Sequence, residues 1–410
     1  MLYASFRSLK RKAAPGVDGV VVADYERNLD GNLRDLERRL RDKRYRAQPV
    51  SRRYIQKAGS RKRRPLGIPT LEDKIVQQAA SWILQSIYEA DFSERSVGYR
   101  RNVPGPRKCG YQLSRELDSG VYRWVVEADI RSFFDDVDHA WLLRMLEQRV
   151  DDRSFLRLIT KWLKAGVLEA EAENRWEESV SGTPQGGVIS PILANIYLHY
   201  VLDLWLDKRL RKELGGKMLW MRFADDFIVC FEHKRDAVDF LAGLGLRLRE
   251  FCLNLAEEKS GLVKFNRWEP DDSGRFTFLG FDFYWARTRK NRKHKMVKRK
   301  TTKKKLRAAL AGMKEWIRTN RHKPLEWILE RLRAKLSVHW NDDGVLGNSP
   351  SLVVFEREVK GLIFKWLNRR SQRKSLTWEV LLARWTTVWR LPPARVVEAA
   401  ETGFQTRLAL

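Results

Sequence analysis

Cysteine is scarce. Three residues in 410, Cys109, Cys230 and Cys252, stand far apart without a C-x-x-C pair, which excludes a disulfide framework and a thiolate zinc site and leaves them as packing or surface residues of a reducing compartment. Long apolar runs are missing too. None approaches the roughly 20 residues that a bilayer span requires, and no apolar stretch opens the chain, so neither a membrane helix nor a secretory leader is expected. The six histidines are scattered, and there is no internal repeat or low-complexity tract apart from one basic strip. Acidic residues are in deficit: 52 Asp and Glu face 80 Lys and Arg, for a formal net charge of +28. That imbalance far exceeds what solubility requires and matches a surface that tracks phosphates. An anionic membrane is the rival partner for so much positive charge, and the lack of a spanning segment argues against it. The expectation is a cytoplasmic protein associated with RNA or the nucleoid.

What is present is enough to fold. With 43% hydrophobic residues the chain is not a disordered polyelectrolyte, and its length suits two or three folding units. Before the basic strip, α and β signals mix. Thr70, Glu72 and Asp73 look like a helix start, and Ile75, Val76, Ala79, Ala80, Ile83, Leu84 and Ile87 follow at helical spacing, predicting a core-facing helix from Thr70 to about Ala90. Residues 122–128 read as a strand that ends at Asp129. Ser190 and Pro191 form an N-cap and first-turn pair, and Ile192, Leu193, Ile196, Tyr197, Tyr200 and Val201 continue the helix face. Two short apolar runs, 218–224 and 227–231, flank Asp225 and Asp226 as strand, tight turn and strand, with both acids at the tip. Beyond residue 305 the pattern becomes helical and rich in Trp, Leu and Arg, over 306–319, 324–340 and 352–370. Between them, Arg287 to Lys305 carries twelve Lys and Arg and no acid, which marks either a solvated linker or a binding strip.

Adjacent carboxylates inside the apolar stretch Phe223-Ala224-Asp225-Asp226-Phe227-Ile228-Val229 are hard to explain as packing. Two such charges about 4 Å apart repel by roughly 4 kcal/mol at an effective dielectric of 20, and a cation resolves the conflict. Asp129, at the end of a hydrophobic strand, is the natural third ligand if that strand lies beside the hairpin. An isolated Asp-Asp is more often a plain turn, and its company decides. Ser181-Gly182-Thr183-Pro184-Gln185-Gly186-Gly187-Val188-Ile189-Ser190-Pro191 precedes it by about 40 residues, and Glu127-Ala128-Asp129-Ile130-Arg131-Ser132-Phe133-Phe134-Asp135 lies upstream.

With these motifs in this order the sequence resembles the reverse transcriptases encoded by bacterial group II introns. The resemblance covers nearly the whole chain. It begins at Ala14-Pro15-Gly16-Val17-Asp18-Gly19, runs through Arg64-Pro65-Leu66-Gly67-Ile68-Pro69, and continues past the central motifs to Glu258-Lys259-Ser260 and Phe278-Leu279-Gly280-Phe281. It implies an α+β right-hand polymerase: fingers over residues 1–110, a palm with an antiparallel sheet and helices over 111–286, and a basic linker with an all-helical thumb and maturase domain over 287–410. The implied activity is copying RNA into DNA from deoxynucleoside triphosphates on an RNA template with a DNA or RNA primer, together with binding of group II intron RNA to aid splicing and mobility. A non-polymerising maturase or RNA chaperone, and a host-adopted enzyme of defence or repair, are the other readings. The full acid set with Lys57, Arg64 and Gln185 argues against the first of these.

The resemblance also assigns roles. Asp129, Asp225 and Asp226 match the acids that hold two magnesium ions, which favour carboxylate and phosphate oxygens. Lys57 and Arg64 match residues that grip the triphosphate, a point charge and a bidentate fork. Ile130, Phe134, Gln185 and Gly186 match the rest of the nucleotide site. Phe134 would lie under the sugar and exclude a 2′-hydroxyl; the alternative is Phe133 at the site with Phe134 in the core, since successive strand residues face opposite ways and only one can point there. Lys259 matches a general acid for the leaving pyrophosphate, though a Lys in that setting also suits a plain surface. Phe278, Leu279 and Gly280 match the primer grip, and the same letters make an ordinary buried strand. Arg287, Arg289, Lys290, Arg292, Lys293, Lys298, Arg299 and Lys300 are candidate nucleic-acid contacts, and Trp316, Trp327, Trp340, Trp366 and Trp378 fit helix packing better than base stacking.

Some features depart from the family. Ser132 stands where Gly is usual, and Asp342-Asp343 replaces common aromatic residues and is expected to weaken an RNA contact there. The chain starts almost at the Pro-Gly-Val-Asp-Gly motif, implying little N-terminal extension, and no DNA-binding or endonuclease module is expected after residue 410.

Overall fold

Thr70 caps its helix as expected: its hydroxyl accepts the Asp73 backbone N–H, and Leu71–Tyr88 follows, burying Leu71, Ile75, Val76, Ala79, Ala80 and Leu84 on one face. The computed structural model describes residues 1–56, 63–101, 103–169, 175–177, 182–183, 186–269, 273–288, 294–370 and 376–398. It has two compact units, Met1–Val103 with Val126–Leu262, and Pro104–Val125 with Val263–Leu410.

In chain order the strands up to the end of the first unit are β1 (Val50–Gln56), β2 (Arg63–Ile68), β3 (Trp124–Ala128), β4 (Ile130–Arg131), β5 (Val167–Glu169), β6 (Arg175–Glu177), β7 (Met218–Phe223), β8 (Asp226–Phe231), β9 (Asn254–Leu255) and β10 (Gly261–Lys264). They form a sheet in the order β2-β1-β5-β6, a second in the order β10-β3-β8-β7, and the short pair β4-β9. The second sheet answers the condition set by the sequence, because β3, which leads into Asp129, lies directly beside β8. Strands β7 and β8 pair antiparallel with Phe223 opposite Asp226. The two-residue turn is therefore Ala224-Asp225, and Asp226 is the first residue of β8 rather than a tip residue. The helix Ser190–Leu198 has Pro191 in its first turn, but Ile189, not Ser190, is its N-cap. It runs on through two π-helical stretches, His199–Asp203 and Trp205–Leu210.

The second unit contains the helix Pro106–Leu117 and the three-stranded sheet β11 (Phe276–Phe278), β12 (Phe281–Arg287) and β13 (Lys295–Thr301). The helices Lys303–Asn320, Leu325–Asp343, Ser349–Leu367 and Trp378–Thr386 follow. Their core gathers Leu332, Leu336, Trp340, Phe355, Val359, Ile363, Trp366, Leu381 and Trp385. Burying each such aliphatic or aromatic side chain contributes about 1.5–3 kcal/mol, which is why the helical spacing of apolar residues was readable here. Trp316 and Trp327 stack on each other with centroids 6.4 Å apart, and Trp378 stacks on Phe364 at 4.4 Å.

Part of the basic strip is a strand, not a linker. Along β13 the side chains of Val297, Arg299 and Thr301 are buried while Lys300 is exposed, the two-residue alternation of a half-buried sheet. Arg299 ion-pairs with buried Glu398 and donates to the Arg107 carbonyl at 3.0 Å. A buried, paired guanidinium is not a phosphate ligand, so Arg299 leaves the list of nucleic-acid contacts. Asp343 is likewise no surface acid. It is buried, accepts from the Thr301 hydroxyl at 3.1 Å and pairs with Lys305 at 2.8 Å, which ties the second long helix to β13 and removes Asp343 from any contact with RNA.

Candidate active site

Asp129 follows β3, and its surroundings are built by the segment that carries Lys259. The Ala256 N–H donates to the Asp129 carbonyl at 2.8 Å, the Asp129 N–H donates to the Ser260 hydroxyl at 3.3 Å, and the Lys259 ammonium ion-pairs with the Asp129 carboxylate. Arg131 pairs with Glu258 at 3.2 Å on the neighbouring residues. Ile130 is buried and opposes Leu255 in the β4-β9 pair, so its side chain belongs to the scaffold. Lys259 is exposed and stands beside Asp129.

The Asp225 carboxyl is pushed above the usual carboxylate range, first by burial and then by the Asp129 charge, against the opposing pull of Arg64 and Arg222. Two acids from separate strands thus share one electrostatic neighbourhood. Asp226 is exposed at the start of β8. Among the described residues no group of three His, Cys, Asp or Glu side chains is set to hold a metal. Of the three expected acids, Asp129 and Asp225 are the two whose charges meet here, and Asp226 is the next residue along the chain. The pair still fits magnesium, which takes one or two carboxylates and keeps water and substrate phosphate oxygens in the rest of its octahedron.

What holds the Ala224-Asp225 turn escaped the sequence reading. Arg222 on β7 is fully buried and forks onto Asp203, Nε to Oδ1 at 2.8 Å and Nη2 to Oδ2 at 2.5 Å. Its Nη1 also donates to Asn195 Oδ1 at 3.0 Å and to the Ala224 carbonyl at 2.9 Å. Ala224 itself sits at φ 59, a left-handed conformation that a non-glycine residue holds only when its surroundings impose it. A lone Arg in the otherwise apolar run Met218-Leu219-Trp220-Met221-Arg222-Phe223 was the available signal.

Phe133 and Phe134 lie on a short helical turn, Phe133–Asp136, after Ser132 at φ 43, so strand alternation is not what separates them. Phe133 is buried against Tyr197, while Phe134 is half-buried. The Thr183 N–H donates to the Phe134 carbonyl at 2.7 Å and the Gly182 N–H to the Val137 carbonyl at 2.9 Å. Gly182 has φ +87, and a Cβ there would stand 2.8 Å from the Asp135 carbonyl; Gly186 has φ +109, with a Cβ position 2.6 Å from the Gly67 carbonyl. These two glycines let one segment press against both the Phe134 turn and β2, the strand of Arg64. The Val188 N–H donates to Gln77 Oε1 at 2.9 Å and fixes the segment from behind. Arg64 is exposed and its charge reaches Asp225. Lys57 and Gln185 lie outside the described residues, as do Arg289, Lys290, Arg292 and Lys293.

In the second unit, Phe278 pairs with Phe281 across a two-residue hairpin and is buried. Its ring fills the core, which corrects its place in a primer grip. Leu279 at φ 53 and Gly280 at φ 78 form the turn itself, the mirror-image geometry that suits tight hairpins. Arg287 and Lys300 are exposed, and Lys298 donates to the Arg287 carbonyl at 3.0 Å.

Residues 55–283 match the family described as reverse transcriptase (RNA-dependent DNA polymerase). The group II intron-encoded protein LtrA of Lactococcus lactis subsp. cremoris is 39% identical over 207 residues, 49% of this chain and 33% of that protein. The chain thus spans about a third of that relative's length. Protein YkfC of Escherichia coli (strain K12) is 31% identical over 316 residues, 69% of this chain and 79% of YkfC. Among solved structures, telomerase from Candida albicans with a fragment of telomeric RNA covers 83% of this chain and 61% of its own at TM-score 0.47 and 12% identity. Among the described residues no helix is long and apolar enough to cross a membrane.

Proposed function

The chain belongs to the reverse transcriptase (RNA-dependent DNA polymerase) family, and from that premise we propose that it extends a DNA or RNA primer on an RNA template with deoxynucleoside triphosphates and magnesium. The observation that carries the reading is the strand order that sets β3 beside β8, with Asp129 and Asp225 coupled by charge. Magnesium at this pair would supply charge neutralisation at the triphosphate and at the attacking hydroxyl. Asp129 and Asp225 would hold it. Arg64 and Lys57 bind the triphosphate, Gln185 and Gly186 support the new base pair, and Lys259 delivers a proton to the leaving pyrophosphate from its seat beside Asp129. Most of the expected fingers (1–103 of 1–110) and the middle of the expected palm (126–262 of 111–286) lie in the first unit, and 104–125 and 263–286 lie in the second. The helical unit, with Leu279, Gly280, Arg287, Lys298 and Lys300, meets template–primer and group II intron RNA, a partner suggested by the intron-encoded relative.

Purified protein given an RNA template, a DNA primer, deoxynucleotides and magnesium should copy to the template end. No extension with any divalent ion would refute the reading. For the intron partner, RNA crosslinked to the protein in cells should map to a group II intron, and an even spread over the transcriptome would remove it.

Phe134 carries a prediction on sugar choice. Replacing it with Ala should raise ribonucleotide incorporation relative to deoxynucleotide by about 10–100-fold, the cost of roughly 1.4–2.8 kcal/mol of steric exclusion. The comparison is kcat/KM for dCTP and CTP. Unchanged discrimination would take the steric role away from this ring.

A further inference from the structure

The loop before residue 101 is fastened to the catalytic turn more tightly than any exposed loop needs. The Val97 N–H donates to the Arg222 carbonyl at 2.8 Å, and the Arg222 N–H donates to the Arg95 carbonyl at 2.9 Å. Buried Asn195 donates through Nδ2 to the Gly98 carbonyl at 2.6 Å, and a Cβ on Gly98 would fall 2.1 Å from the Ala224 backbone nitrogen. On the far side, Arg100 donates to the Ser93 and Ser96 carbonyls at 2.7 and 2.6 Å and pairs with Glu89 at 2.8 Å.

All of this frames one residue. Tyr99 is held at φ 57, a conformation unfavourable for an aromatic side chain, and such strain collects at ligand-binding positions. The residue stays 45% exposed although packing its ring away would be favourable. The ring lies 6.5 Å from that of Phe223, the residue before the turn, and the hydroxyl feels the charges of both Asp225 and Arg64. A side chain packed beside the residue before the Asp225 turn, near both Asp225 and Arg64 in charge, and kept open at the cost of backbone strain, is placed to meet what binds at that turn.

We propose that Tyr99 is a substrate-contacting residue that packs its ring or hydroxyl against the sugar and phosphates of the incoming nucleotide. The proposal rests on the polymerase reading of the Asp225 turn. Its test is nucleotide KM and kcat, at saturating primer–template, for the wild type, Tyr99→Phe and Tyr99→Asn. Asn accepts the left-handed backbone, so the loop keeps its shape. Tyr99→Asn should raise the nucleotide KM by about tenfold, the loss of one good contact, with kcat nearly unchanged and primer–template affinity unaltered. Tyr99→Phe then sorts the two modes: a KM like the wild type assigns the contact to the ring, and a raised KM assigns it to the hydroxyl. An unchanged KM in both variants, or a loss of primer–template affinity in its place, would overturn the proposal while leaving the polymerase reading intact. A wild-type protein that extends no primer at any nucleotide concentration would overturn both.

Discussion

Asp225→Asn should lower the single-turnover rate of primer extension by about a thousandfold or more, since a metal contributes several kcal/mol of charge stabilisation and roughly 4 kcal/mol corresponds to that factor. The substitution keeps the shape of the side chain. It also relieves the repulsion with Asp129 and removes a carboxyl whose ionisation burial already resists, so the folded protein should be no less stable. The structure ranks the acids: Asp129→Asn should match Asp225→Asn, whereas exposed Asp226 should cost less when replaced by Asn. Manganese binding followed by electron paramagnetic resonance gives a readout apart from turnover, and Asp225→Asn should weaken it. Near wild-type extension by Asp225→Asn would end the metal assignment, and equal losses at all three positions would end the ranking.

How much of this was legible depends on the range of the interaction. The helix Leu71–Tyr88 and the β7-β8 hairpin were readable because spacing, capping and turn signals are local. The side-chain fate of charged residues was not. Arg299 sits in a run that reads as a solvated strip, but pairing of β13 with β12 turns every second residue inward, and its partner Glu398 is 99 residues away. Asp343 looked like an exposed acid next to Asp342 and is instead held by Thr301 and Lys305 from a neighbouring segment. The site divides the same way. Motif order placed Asp129 and Asp225, but the register that moves Asp226 off the tip is a tertiary outcome. So is the pairing of Arg222 with Asp203, 19 residues earlier on a helix.

Arg222 is where stability and catalysis should come apart. Arg222→Met leaves the Asp203 carboxylate, 1% exposed, without its fork, and breaking a buried pair from one side costs about 3–5 kcal/mol. Asp203→Leu strands the guanidinium and should cost a similar amount. Replacing both together removes the unpaired charge, so Arg222→Met/Asp203→Leu should be far more stable than the two single losses added. Activity should not return with it. The same guanidinium also donates to the Ala224 carbonyl and to Asn195, whose own amide fixes Gly98 against the turn, and no apolar pair can supply those bonds. The double variant should therefore regain hydrogen-exchange protection over residues 218–231 while its extension rate stays about tenfold or more below the wild type, a loss of at least 1.4 kcal/mol in positioning Asp225. Single variants that unfold like the wild type would mean the pair contributes nothing. A double variant with full activity would mean that the strands alone set the catalytic turn.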